Sequence, residues 1–289
     1  MIANVQIHRR ELSRAFRLFC VILFALPALF ALVTQGWGGE AGSLSPIVLL
    51  LGTWTVWYTA SELSQESPEQ MGSLVVWGLL IIPVLGIYVF AQAIEMVFLM
   101  ALAAWAGLVV TFYAWFGLRT LIKCTLPILL TGLAIPLPYS LSVTSNAWLR
   151  DFTSHWAVQL ADMLGLDVAR GAEVIVLGPY VMSVENACAG ATSMMSLVAI
   201  GVLYAYWMRN SGKVQTLGIL LAAIPIAFAA NILRVVCLLF LIKFAGVNIL
   251  DTALHPMSGL ISFILSMALL IAWSGILEKF TRTETPPHA

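Results

Sequence analysis

The sequence predicts an all-α polytopic membrane protein. About eight membrane-spanning helices are expected, with one re-entrant or interfacial helix and a small external segment, an amphipathic helix and a β-hairpin, ahead of Cys188. Three observations carry this reading. Of the 289 residues, 61% are hydrophobic and only 10% charged, with a mean hydropathy of +0.97, whereas soluble domains are about half apolar and about a quarter charged. The apolar residues come in runs of the length that crosses a bilayer, about 20 residues. Between two groups of such runs lies the more polar stretch 139–191, which cannot be a span. The 14 basic and 14 acidic residues cancel to a formal net charge of zero, which argues against a nucleic-acid surface. Disorder is excluded by the hydropathy. With no repeat and no linker rich in Gly, Ser or Pro, residues 1–289 are expected to form a single membrane domain.

The expected spans are 15–34, 46–60, 74–92, 97–117, 121–138, 192–208, 214–230 and 256–276. The first has no small-residue cleavage site after it and is read as a membrane helix, not a removable signal. The second is short, and its Trp54, Trp57 and Tyr58 suit a membrane interface. Pro83, Pro127 and Pro225 fall inside spans, which membrane helices tolerate better than soluble ones. Basic residues set the orientation. Arg9, Arg10, Arg14 and Arg17 place the N-terminus in the cytoplasm, and Arg119, Lys123, Arg209, Lys213, Lys279 and Arg282 fall on the same side after eight crossings. The segment 139–191 is then external, and a prokaryotic inner membrane with both termini cytoplasmic is expected. The run 231–245 is apolar apart from Arg234 and Lys243 but short for a crossing. If it crossed, the C-terminal basic residues would be external, so it is expected to re-enter or to lie along the outer interface.

Within the external segment, Trp148, Phe152, Trp156, Leu160 and Leu164 recur at four-residue steps over 141–164, giving an amphipathic helix with one aromatic face. That face is expected against the bundle or at the outer interface. Val174–Leu177 and Tyr180–Val184 flank Gly178-Pro179 and read as a hairpin. It either caps the bundle or receives an extended peptide by strand addition.

Four cysteines (Cys20, Cys124, Cys188 and Cys237) are too scattered for a disulfide framework or a CxxC metal site. Cys188 differs from the others because it precedes a span, where helix N–H groups favour the thiolate. Its neighbours Ala187, Ala189 and Gly190 are small enough for a substrate backbone to approach. Asn231-Ile232-Leu233-Arg234 puts a guanidinium in apolar sequence, at a cost on the order of 3 kcal/mol if fully inside the bilayer. Such an arginine either snorkels or pairs with Glu185 or Asp251, or it faces a developing oxyanion or a substrate carboxylate. His255-Pro256 opens the last span, since proline suits the first helical turn. Each residue alone also has a purely structural reading. Together, at one depth, a cysteine nucleophile, a histidine acid–base and an arginine electrophile make an acyl-transfer site. His8, His155 and His288 do not join them, and no metal spacing, GxSxG or phosphate loop occurs.

Cys188-Ala189-Gly190, Asn231-Ile232-Leu233-Arg234 and His255, with Pro136-Leu137-Pro138 upstream, resemble the exosortase/archaeosortase family over about residues 125–276. That family usually has Cys-Ser-Gly, so a role for its serine hydroxyl is absent here or supplied elsewhere. The resemblance implies a polytopic cysteine protease or transpeptidase. Its partners would be exported proteins carrying a C-terminal motif, a transmembrane helix and a basic cluster, as in PEP-CTERM proteins. It implies Cys188 as nucleophile, His255 as proton carrier, Arg234 as oxyanion stabiliser and Asn231 as an orienting neighbour, with no cofactor. The acceptor would be water, or an amine or hydroxyl on a membrane lipid or polysaccharide. Two other readings remain open on the sequence. One is a non-catalytic transporter or assembly scaffold with Arg234 as a pathway or structural charge, and the other is an acyltransferase using His255 and a lipid donor.

Overall fold

A computed structural model describes residues 20–38, 42, 44–66, 72–171, 174–183, 191–208, 212–246 and 254–283, and the side chains of all of these except 64–66, 191–194, 254–256 and 281–283. The chain divides into two compact units, Met1–Pro138 and Tyr139–Ala289.

The first unit holds α1 (Cys20–Gly36), which ends in a π-helical turn at Leu32–Gly36, α2 (Ser45–Glu66), α3 (Leu74–Ala93), α4 (Val97–Lys123) and α5 (Thr125–Gly132). Its packing is the inverse of a soluble core. Ala28, Ala91, Ala103 and Ala104 are buried, while Leu74, Val75, Leu79 and Ile82 of α3 are each more than two-thirds exposed. Small residues let helix backbones approach, and the large apolar side chains are left to lipid. The expected boundary between the fourth and fifth spans is visible inside α4, where Gly117 leaves helical geometry at φ 74° and ψ 174°. The expected span 121–138 is not one long helix. Pro127 offers no N–H to the preceding turn, α4 ends at Lys123, and α5 is only 8 residues long.

The α2–α5 contact gives a stability prediction. A Cβ on Gly52 would come 2.7 Å from Thr131 Cγ2 and 2.9 Å from the Thr131 backbone nitrogen, whereas one on Gly78 of α3 would meet nothing within 4 Å. Gly52→Ala is expected to cost about 1–3 kcal/mol by overpacking, and Gly78→Ala to be neutral or stabilising by up to about 1 kcal/mol. Thermal unfolding of the two variants in detergent checks this. Equal melting temperatures would mean that α2 and α5 do not pack at Gly52.

The second unit holds α6 (Tyr139–Met163), the strands β1 (Val168–Arg170), β2 (Val174–Leu177) and β3 (Tyr180–Ser183), then α7 (Ala191–Trp207), α8 (Lys213–Ala245) and α9 (Leu254–Thr283). The three strands form an antiparallel sheet in the order β1-β2-β3. The expected hairpin is β2–β3, turning at Gly178 with φ 54°. β1 is a strand the alternation signal missed, since three residues are too few for a period of two to show.

One expectation for this unit is corrected. Residues 231–245 do not form a separate re-entrant or interfacial helix, because α8 runs without a break for 33 residues, about 50 Å at 1.5 Å per residue. The run is apolar for another reason. Val235, Val236, Leu238, Leu239 and Ile242 are buried in one cluster with Ala157 and Ala161 of α6 and with Ile175, Leu177 and Met182 of the sheet. The end of α8 is therefore the central post of a small α/β cap, and its apolar character belongs to a protein core. The aromatic face of α6 is expected against the bundle or at the outer interface, and small residues of another face make the closest packing. Thr153, Ala157 and Ala161 form its buried stripe, while Trp148, Trp156 and Leu164 are exposed. Small residues win the contact because they let α6 and α8 close up. The base of the aromatic stripe also touches α8, through Phe152 and Trp148 at 5.1 and 5.8 Å from Phe228.

Four of the described helices, α3, α4, α8 and α9, are long and apolar enough to cross a membrane, and Cys20–Gly36 and Met195–Trp207 are shorter apolar helices.

Candidate functional site at the base of the cap

α8 and α9 are antiparallel and in step over most of their length. Gln215 Nε2 donates to Ser274 Oγ at 3.4 Å, Trp273 Nε1 to the Gly218 carbonyl at 3.3 Å, and Ser262 Oγ to the Ala230 carbonyl at 3.0 Å. α7 packs against both, with Gly201 so close to α8 that an added Cβ would lie 3.0 Å from Ala223 Cβ.

This alignment fixes the level of Arg234. It lies 21 residues from Lys213 along α8, and Ser258 lies 21 residues from Lys279 along α9. Each separation is about 32 Å of helix, close to the thickness of a bilayer's hydrocarbon core, about 30 Å. Arg234 Nε donates to Ser258 Oγ at 3.0 Å, so the two helices place their polar pair at one level. That level is also where α8 leaves the three-helix bundle and enters the cap. The Arg234 Nε–H is satisfied there by the Ser258 hydroxyl. The side chain is buried, at 9% exposure.

One turn before Arg234, Asn231 is 2% exposed and donates from Nδ2 to Thr153 Oγ1 of α6 at 3.2 Å. Asn231 thus joins α6 to α8, one turn before Arg234. His255 is the second residue of α9, one turn before Ser258, so its backbone position lies on the α9 face that meets Arg234. Its side chain is not among those described. Cys188 lies outside the described residues, three positions before α7 begins at Ala191. Glu185 and Asp251, considered above as partners for Arg234, also lie outside them.

Thr153, Ser258 and Gly259 belong to this site and were missed in the sequence. Ser258-Gly259 was legible only as small residues one turn after His255. Thr153 was hidden because it sits off the aromatic stripe of its helix. On the cap surface, Arg170 of β1 pairs with Asp151, and its Nη1 lies 3.3 Å from His155 Nδ1. This ties sheet to helix and gives His155 a neighbour that the sequence did not suggest. Among the described residues, no three His, Cys, Asp or Glu side chains converge as metal ligands would. The cavity of about 410 Å³ in the first unit, among Cys20, Phe24, Trp77 and Leu108, is apolar and contains none of the candidate site residues.

A family model described as transmembrane exosortase matches residues 36–272. Comparison with curated proteins gave no match, and comparison with solved structures gave none.

Proposed function

Because the chain belongs to the transmembrane exosortase family, a family of membrane-embedded processing enzymes, we propose that it cleaves the C-terminal sorting signals of exported proteins through a thioester on Cys188. The observation that carries this reading is the common level of Arg234 and Ser258, 21 residues from Lys213 and from Lys279. Cys188 is likewise 21 residues from Arg209. On this reading Cys188 joins Arg234 and the histidine end of α9 at the boundary opposite these basic residues. By the distribution of basic residues, that boundary is the extracytoplasmic one.

The reaction follows from the chemistry of these groups. The Cys188 thiol, ahead of the N-terminus of α7, gives its proton to His255 and attacks the scissile carbonyl carbon. The carbonyl π electrons move onto oxygen, and the Arg234 guanidinium stabilises that oxyanion. Collapse of the tetrahedral intermediate expels the amine of the downstream peptide, which takes its proton from His255. The upstream protein remains as a thioester on Cys188. Water releases it as a free carboxylate, or an amine or hydroxyl of a lipid or polysaccharide takes it up. PEP-CTERM-like signals, with a motif, a transmembrane helix and a basic cluster, suit this geometry. Their helix spans the membrane and leaves the motif at its outer edge.

A reporter carrying such a C-terminal signal, co-expressed with the chain, tests the reading. The reporter is expected to be shortened at its motif, with a hydroxylamine-labile adduct of its upstream fragment on Cys188 detectable by mass spectrometry. Shortening that persists undiminished after complete alkylation of the thiols would overturn the thioester route.

A further inference from the structure

The structure assigns Ser258 and Gly259 as the pair that holds the Arg234 guanidinium in its working orientation. The inference rests on the reading of Arg234 as oxyanion stabiliser and extends it to two residues with no other assigned role. A Cβ placed on Gly259 would lie 3.5 Å from Cζ, 3.5 Å from Nη1 and 3.5 Å from Nη2 of Arg234. Equal distances to three atoms of one plane mean that the guanidinium lies flat over Gly259, face against the backbone of α9. Its neighbour Ser258 accepts from Nε at 3.0 Å. One contact fixes the plane and the other fixes rotation within it. Nη1 and Nη2 form the two-pronged edge of the guanidinium, which suits a carboxylate-like or oxyanion group.

The spacing has a further consequence. Ser258 and Gly259 follow His255 by three and four residues on one continuous helix, so they share its face. Holding Arg234 on Ser258 and Gly259 therefore sets the guanidinium's distance from the His255 position by helix geometry alone. Proton carrier and oxyanion donor are placed by one rigid element, although they belong to helices distant in sequence. Such preorganisation matters because a donor must already be aimed at the charge that develops in the transition state.

Four variants and two measurements test this. Ser258→Ala is expected to lower kcat roughly 10-fold with KM unchanged, since the oxyanion exists only after attack. Ser258→Thr keeps the hydroxyl and is expected to restore most of the rate. Gly259→Ala adds one methyl in contact with Cζ, Nη1 and Nη2 of Arg234 and is expected to lower kcat by less than Gly259→Val. Gly259→Val carries two further methyl groups into the guanidinium plane and is expected to lower kcat at least as much as Ser258→Ala. In an Arg234→Ala background, neither Ser258→Ala nor Gly259→Val should lower kcat further. Effects that remain fully additive there would overturn the proposal, because two independent losses would then be at work.

The second measurement does not depend on activity. The Arg234 Nε–H resonance, assigned in ¹⁵N spectra by its disappearance in Arg234→Lys, is expected to shift in Ser258→Ala and to return in Ser258→Thr. An unmoved resonance would show that Ser258 does not hold the side chain. If the resonance responds but Arg234→Ala leaves kcat unchanged, the oxyanion reading has failed and the holding contacts stand.

Discussion

Cys188→Ala is expected to reduce signal processing by roughly 10⁴- to 10⁶-fold, the range seen when a covalent nucleophile is removed from hydrolases. No other single substitution should cost as much, because without the thiol there is no acyl-enzyme and only direct attack by water remains. Cys188→Ser is expected to recover little, since a hydroxyl is far less ionised than a thiol at neutral pH. Cys20, Cys124 and Cys237 provide controls. Cys124 is fully buried between α4 and α5, and Cys20 and Cys237 are exposed on helices. Their replacement by alanine should leave the rate unchanged, with at most a modest loss of stability for Cys124. The measurement is the initial rate of reporter shortening in membranes with matched protein levels. Normal processing by Cys188→Ala would refute the assigned nucleophile.

Arg234→Ala is expected to lower kcat about 100- to 1000-fold, the usual cost of losing one oxyanion donor. Arg234→Lys is expected to recover little of it. An ammonium retains the charge but has no Nε to give Ser258 and no plane to lie over Gly259, so charge alone does not restore aim. The alanine variant also leaves a buried space at the base of the cap and takes away the donor that Ser258 accepts from. Its melting temperature therefore has to be read beside its rate. Arg234→Lys should melt closer to the unmodified protein than Arg234→Ala and still be slow. If the lysine variant instead works at nearly full rate, the site needs only a positive charge, and the guanidinium geometry is incidental.

The residues most visible in the sequence are those whose type is unusual for their surroundings. Arg234 stands out in an apolar run, His255 stands out before Pro256, and Cys188 stands out among small residues at the foot of a span. Ser258, Gly259 and Thr153 are ordinary residues in a membrane helix or an amphipathic one. They acquire a role only from what lies across from them, which no spacing rule along one chain reports. The same limit explains α6. Its aromatic stripe dominates the periodicity, yet Thr153, Ala157 and Ala161 make the contact. Hydrophobicity measures cost in water, whereas helix packing rewards close backbone approach.

The sequence by itself determined that this is a polytopic membrane protein with a polar insert, where its hairpin turns, and which cysteine, arginine and histidine are candidates. Those features are local or compositional, and hydropathy, turn chemistry and basic flanks report them directly. Only the tertiary structure decided the role of residues 231–245. An apolar run of that length reads the same whether it is surrounded by lipid or by protein. Here Val235, Leu238, Leu239 and Ile242 are enclosed by α6 and the sheet, so the helix continues beyond the three-helix bundle as the post of the cap. That continuity places Arg234 where bundle and cap meet, because a rigid helix carries its residues to a level set by its length and its neighbours.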